Sequence, residues 1–407
     1  MMKIPRTKKI TKCRLCHNKK LTQIYNFGNH YVSNFVQKKN IKKGVKAPLN
    51  LVYCKNCQLL QLEHSAPQEL MYKKFYWYRS GVTNTMKVAL KDIFLNIKKM
   101  SIMKKGDTIL DIGANDGTLL KYFKNEGFTT IGCEPAKNLT KELMRNSKFV
   151  INNFWNFKYL NNILKKNKLK KPKVITAIGM FYDLEDPSKF ISDAAKSLDD
   201  NGVFIAQLMC LDSMIKKNDL GNICHEHLEF YSYPSLKYLF EKNGLKIMKI
   251  DENEINGGSY RIFCKKNIKK SITYKENTSL KDIKRFIKRV KKNKKACINF
   301  LKRSKIDKKK VFIYGASTKG NTLLQYYGIN SNIITYASER SPEKWDKYTI
   351  GTGLKIISED YARTLNPDYF FVMPYAFIKE FIKREKNWMK GGGKFILPYP
   401  NFKIINK

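Results

Sequence analysis

Three groups of residues in this 407-residue chain have the types and spacing that chemistry requires. The first is Cys13-Arg14-Leu15-Cys16 together with Cys54-Lys55-Asn56-Cys57. Two such Cys-x-x-Cys pairs can close a tetrahedral thiolate shell around zinc, leaving no position open for water. A closed shell of this kind folds a small domain and does not carry a reaction. His17 and His30 lie nearby but are poor competitors as ligands. The second group is Asp111-Ile112-Gly113-Ala114-Asn115-Asp116-Gly117, a turn whose glycines let a ligand approach the backbone closely. Some way on, Glu134 ends another apolar run, where a carboxylate is placed to hold the two hydroxyls of a ribose. The third is Cys224-His225-Glu226-His227, which gathers two of the five histidines around a carboxylate. Its spacing differs from His-Glu-x-x-His, which puts both imidazoles on one helix face for zinc. In an extended segment His225 and His227 would share a face, with Glu226 pointing away. An imidazole base working near neutral pH, oriented by a carboxylate, fits this group best.

These groups need elements to hold them. Residues 108–110 read as a strand entering the glycine turn, and 119–123 as the helix leaving it. Residues 129–134 read as a second strand, 173–179 as a fourth and 202–207 as the next, with helical patterns between them. That alternation predicts a doubly wound α/β domain. Ligands in such folds sit beyond the carboxyl ends of the strands, which places Tyr182, Asp183 and Gln207 near the reacting centre. The aromatic run Tyr72, Phe75, Tyr76, Trp77, Tyr78 reads as packing between domains, with a tyrosine facing substrate as the other reading. Residues 311–314, followed by Gly315-Ala316-Ser317-Thr318-Lys319-Gly320-Asn321, again form a strand entering a helix. Its N–H groups and Lys319 could receive a phosphate. The lysine-rich stretch 266–310, with Ile283, Phe286, Ile287 and Val290 at helical spacing, reads as a solvated connecting helix.

The net charge of +45 would by itself suit nucleic acid or a membrane surface. The lysines, however, are scattered through every segment among Ile and Asn, and no RNA-binding signature with interleaved aromatics occurs. No apolar run is long enough to span a bilayer. Nine cysteines without an export signal point to metal ligands and free thiols. The expectation is a soluble cytoplasmic protein with no nucleic-acid or membrane partner.

The turn from Asp111 to Gly117 resembles the first motif of class I S-adenosylmethionine-dependent methyltransferases. That resemblance implies that Asp111, Gly113, Asn115, Asp116 and Gly117 form the cofactor site, with Glu134 on the ribose. The order of motifs is more specific. Paired Cys-x-x-Cys, then Asp-Ile-Gly-x-Asn-Asp-Gly, then Glu226-His227-Leu228 with Tyr231-Ser232, is similar to the deoxysugar C-methyltransferase family. Asn256-Gly257-Gly258-Ser259, Tyr314 to Asn321, Glu339-Arg340-Ser341-Pro342 and Gly393 to Pro398 follow in the family's order.

The resemblance implies a zinc-binding domain over 1–75 and a Rossmann-like methyltransferase domain over 76–265. A helical linker over 266–305 and a second Rossmann-like, nucleotide-sugar-binding domain over 306–407 complete the chain. It further implies methylation of a carbon beside the ketone of a nucleotide-linked 4-keto-6-deoxysugar. His227 is then the base, Glu226 orients it or bonds the sugar, and His225 is a donor to the enolate oxygen. Tyr182, Cys224, Ser317, Lys319 and Asn321 are the expected substrate contacts. The family's sugar enzymes carry tyrosine where this chain has Cys224, and histidine where it has Tyr182. Transfer to oxygen or nitrogen of a nucleotide sugar or another small metabolite is the alternative, and a noncatalytic zinc-containing RNA-binding module is a third reading.

Overall fold

The computed structural model describes residues 7–276 and 278–406. At its centre is a seven-stranded sheet of β1 (Thr108–Ile112), β2 (Thr129–Cys133), β3 (Phe149–Ile151), β4 (Val174–Ile178), β5 (Val203–Met209), β6 (Lys246–Asn253) and β7 (Ser259–Lys265), in the order β6-β7-β5-β4-β1-β2-β3. The first five strands are parallel. β7 runs antiparallel between β5 and β6. Every residue of β1 is buried, as a strand covered on both faces requires. Helix α1 (Asn84–Lys99), capped by the Thr83 hydroxyl, lays Leu90, Ile93, Phe94 and Ile97 against β1 and helix α2 (Thr118–Asn125). Chain direction around the sheet reverses between β1 and β4, so the crevice for a ligand opens at their carboxyl ends.

Thr22–Tyr31, Lys46–Tyr53 and Leu60–Leu62 form an antiparallel sheet beside the cysteine pairs, and its fourth strand is Glu229–Phe230, from just after the histidine group. The carboxyl-terminal third holds β8 (Val311–Tyr314), β9 (Tyr336–Glu339), β10 (Tyr348–Thr349), β11 (Lys355–Ser358), β12 (Tyr369–Val372), β13 (Lys394–Leu397) and β14 (Lys403–Ile405). They are ordered β14-β13-β12-β8-β9-β11-β10, and Phe35–Val36 from the amino-terminal region joins beyond β10. A second parallel αβ unit is therefore present, and two strand exchanges tie the three parts of the chain together.

Helix α3 (Leu280–Ile306) departs from the solvated connector expected for it. Its capping box, Ser279 with Asp282, starts a helix that buries Ile283, Phe286, Ile287, Val290, Cys297 and Leu301. These pack into one core with Leu49 and Leu51 of the amino-terminal sheet and Ile313 and Leu323 of the carboxyl-terminal unit. Most of the lysines occupy the outer face, although Lys294 turns onto the Tyr326 ring; the apolar stripe at helical spacing is structural.

Candidate active site

The four thiols of Cys13, Cys16, Cys54 and Cys57 lie within 4.8 Å of one another. Cys13 Sγ is 3.6 Å from Cys57 Sγ, and Cys16 Sγ is 3.4 Å from Cys54 Sγ. Zinc–thiolate bonds of about 2.3 Å in a tetrahedron place sulfurs roughly 3.8 Å apart, so the cluster fits one zinc ion with little movement. His30 is bonded to the Phe27 carbonyl and takes no part. Gln61 Nε2 donates to Cys13 Sγ at 3.2 Å, while its Oε1 accepts from Arg14.

Beyond the ends of β1, β2 and β4 lies a cavity of about 350 Å³, lined by Gly113, Asn115, Glu134, Tyr76, Tyr78 and Met180 among others. Gly113 has φ +73°, and a Cβ there would meet Met180 Cγ at 2.6 Å. Glu134 accepts from Asn115 N and Ala136 N, each at 2.9 Å. Burial outweighs these bonds and pushes its carboxyl up to about 7.

The remaining motif residues stand behind the cavity wall. Asp111 accepts from the Thr176 hydroxyl at 2.6 Å between β1 and β4, and burial pushes it up to about 7. Asp116 accepts from the N–H and hydroxyl of Thr118, at the start of α2, and from Gly81 N at 2.6 Å. Gly117, at φ +77°, starts α2 where a Cβ would strike Asn146 and Leu143. The turn also receives the aromatic segment. Asn115 bonds Ser80 N and the Tyr78 carbonyl, and Asn138 bonds both backbone groups of Tyr76. Tyr72, Tyr76 and Tyr78 thus become cavity wall, while Trp77 packs on Phe35 and bonds Asn34 of the amino-terminal region. Trp77 bears out the packing reading of this run, and the tyrosines face a cavity.

The histidine group is a tight turn, with His227 N bonded to the Cys224 carbonyl at 3.2 Å; it is not the extended segment considered from sequence. The two imidazoles consequently face different partners. His225 Nε2 donates to the Ala47 carbonyl at 2.9 Å, in the amino-terminal sheet, and burial pushes its pKa down to about 4. This bond removes it from the position of an enolate donor. His227 Nδ1 lies 2.7 Å from the Asn222 carbonyl. A carbonyl only accepts, so Nδ1 carries the hydrogen and Nε2 keeps its lone pair. Burial first, then the charge of Lys319, hold this imidazole well below its usual range. Asn222, and not Glu226, orients His227. Glu226 keeps one buried carboxylate oxygen, Oε2, without a partner.

The Tyr182 ring sits 4.6 Å from the His227 ring, but its hydroxyl is spent on the Gly179 carbonyl. Cys224 is fully buried, with its thiol held well above the usual range by burial and Glu226. Ser317 caps helix α4 (Thr318–Tyr327) through Gly320 N. Asn321 is spent on the Ile350 carbonyl and the Thr352 hydroxyl. Of the three contacts expected from that turn, Lys319 is the one whose charge acts on Asp183, Asp219, Cys224 and His227. Asn222 carried no motif, nor did Gln68, which lines the cavity and donates to the Asp183 carbonyl at 3.0 Å; the aromatic run was the one sequence signal for Tyr72 and Tyr76.

Three family profiles match the chain in succession: a zinc binding domain over 13–72, a methyltransferase domain over 86–250 and a C-methyltransferase C-terminal domain over 254–400. The C-methyltransferase NovU of Streptomyces niveus is 24% identical over 415 residues, covering 98% of this chain and 97% of that protein. Among solved structures, magnesium protoporphyrin IX methyltransferase (ChlM) from Synechocystis PCC 6803 with bound SAM is 11% identical, with a TM-score of 0.32 over 44% of this chain and 78% of its own. An S-adenosylmethionine-dependent methyltransferase from Clostridium acetobutylicum ATCC 824 is 13% identical, with a TM-score of 0.31 over 44% of this chain and 91% of its own. No helix among the described residues is long and apolar enough to cross a membrane.

Proposed function

From the premise that this chain is an S-adenosylmethionine-dependent C-methyltransferase with a zinc-binding amino-terminal domain, we propose that its acceptor is a nucleotide-linked 4-keto-6-deoxysugar, methylated at a carbon beside the ketone. The noncatalytic RNA-binding reading gives way to the methyltransferase domain match.

The observation that carries the proposal is the state of His227. Its Nδ1–H is fixed on the Asn222 carbonyl and its Nε2 is free, in surroundings that keep the ring unprotonated at neutral pH. Transfer to oxygen or nitrogen needs little such help, whereas a carbon beside a ketone must lose a proton first. His227 Nε2 takes that proton. The unpartnered oxygen of Glu226 accepts from a sugar hydroxyl, and the positive charge of Lys319 acts on His227. The cofactor supplies an electrophilic methyl group; Gly113 and Glu134 hold its methionine and ribose portions. The segment Tyr76 to Gly81 is laced to Asn115, Asp116 and Asn138 and walls the cavity with Tyr76, Tyr78 and Ser80.

The test is incubation with S-adenosylmethionine and a panel of nucleotide-linked 4-ketosugars. A mass gain of one methyl, located on carbon by NMR, is the expected result. A methyl on oxygen or nitrogen, or no transfer to any ketosugar, contradicts the reading.

A further inference from the structure

Proton abstraction beside a ketone leaves negative charge on the carbonyl oxygen, and an enzyme gains most by aiming a donor at that oxygen. With His225 tied to Ala47, the donor must come from elsewhere. The hydroxyl of Tyr72 is spent on the Glu226 carbonyl and that of Tyr182 on the Gly179 carbonyl.

Asp183 differs from these. It follows β4 in a turn closed by its own N–H on the Met180 carbonyl, and its carbonyl accepts from Gln68 Nε2 at 3.0 Å. Its side chain lines the cavity, and Oδ1 is buried without a hydrogen-bond partner. The neighbouring Glu226 also keeps a buried, unpartnered oxygen. An ionised carboxylate buried with an unpartnered oxygen is costly, and such a group neutralises by keeping its proton. Asp183 meets that condition. Burial foremost, then the charges of Glu226 and Glu229, push its carboxyl well above the usual range; the charge of Lys319 opposes this only in part. A protonated acid is a donor, and this residue lines the cavity and has one oxygen, Oδ1, with no partner in the protein.

We infer that Asp183 is a catalytic residue, whose carboxyl carries its proton and donates a hydrogen bond to the acceptor's carbonyl oxygen as His227 takes the carbon-bound proton. The inference rests on the C-methylation reading. The carbon–hydrogen electron pair moves into the enolate, whose oxygen is held by Asp183. The new carbon–carbon bond forms as the methyl–sulfur bond breaks, the ketone returns, and the proton leaves His227 to solvent. Asp183 keeps its own proton throughout.

The experiment compares wild type, Asp183→Asn, Asp183→Ala and Tyr76→Phe, the last because its phenol also lines the cavity. Asparagine keeps a neutral donor, so Asp183→Asn retains most of kcat. Asp183→Ala lowers kcat by about 100-fold, with S-adenosylmethionine affinity unchanged, and Tyr76→Phe falls far less. Infrared difference spectra of wild type against Asp183→Asn, taken at neutral pH without any acceptor, show loss of one protonated-carboxyl C=O band. The inference is overturned if that band is absent, if Asp183→Asn is as inactive as Asp183→Ala, or if Tyr76→Phe alone loses activity. Methylation of a heteroatom by wild type would overturn the C-methylation reading itself, and the infrared band, which needs no acceptor, separates that failure from this one.

Discussion

Arg14 and Glu229 meet inside the protein, with Nε and Oε1 3.6 Å apart and both side chains buried. Arg14 lies within the first cysteine pair, and Glu229 stands two residues after His227. The guanidinium also donates to the Leu62 carbonyl at 2.5 Å and the Ser65 hydroxyl at 2.9 Å. Glu229 accepts from Leu184 N, and its strand pairs with Gln61. The metal knuckle and the two loops of the reacting centre are therefore parts of one buried network. Burial pushes the Glu229 carboxyl well above its usual range in spite of Arg14, so desolvation outweighs the attraction here. Arg14→Ala, which leaves several buried acceptors without a donor, should cost about 3–5 kcal/mol, whereas Glu229→Gln, which keeps shape and neutral bonding, should cost far less. Thermal unfolding decides this; equal effects of the two changes would contradict it.

Metal content is a second test. One zinc per chain is expected, and Cys13→Ser or prolonged chelation should remove it and lower the melting temperature. Because Glu229–Phe230 is an edge strand of the same sheet, hydrogen exchange should rise at residues 224–230 as well as at the cysteines. Exchange confined to the cysteine loops would show that the two are uncoupled.

Cofactor affinity should depend on pH through Glu134. Its carboxyl ionises at about 7 in the folded protein, and the ionised form is the stronger acceptor for ribose hydroxyls. Affinity for S-adenosylmethionine should thus be full above pH 7 and weaken as pH falls through 7. Glu134→Gln should bind more weakly at pH 8 and show a flatter profile by calorimetry. A wild-type affinity equal at pH 6 and pH 8 would contradict the assignment.

His225 makes the opposite kind of statement, about stability in acid. Unfolded, it takes up a proton near 6.5; folded, only near 4. Between those values the unfolded state binds more protons, so the contribution is intact above pH 6.5 and lost as pH falls toward 4. Buried carboxyls such as Asp111 and Glu276, pushed up to about 7, act in the other direction, so the comparison must be with a variant. His225→Gln should lose less stability than wild type over that interval in denaturant titrations. Parallel curves would mean that His225 does not titrate there.

Some of this was legible in the sequence and some was not. The cysteine pairs and the Asp111–Gly117 turn are local: spacing alone determines a thiolate shell and a βα turn, and both formed as expected. The histidine group was legible only as chemistry. Which nitrogen of each imidazole stays unpartnered depends on Asn222 and Ala47, the latter remote in sequence, and no local period reports a turn that sends neighbouring side chains apart. In helix α3 the stripe of Ile283, Phe286, Ile287 and Val290 was visible at helical spacing, but not that two sheets distant in sequence cover it. Ser317 and Asn321 looked like ligands by type, but capping and a buried carbonyl claimed them first.

The most direct measurement follows carbon-bound hydrogen. Wild type and His227→Ala are incubated in heavy water with S-adenosylmethionine and a nucleotide-linked 4-ketosugar, and the products are read by mass spectrometry and NMR. Wild type should place the methyl on the carbon that lost its proton, and His227→Ala should lose both the methylation and any exchange at that carbon. A methyl on oxygen or nitrogen, with activity surviving in His227→Ala, would contradict the assignment of His227 as the base of a carbon methylation.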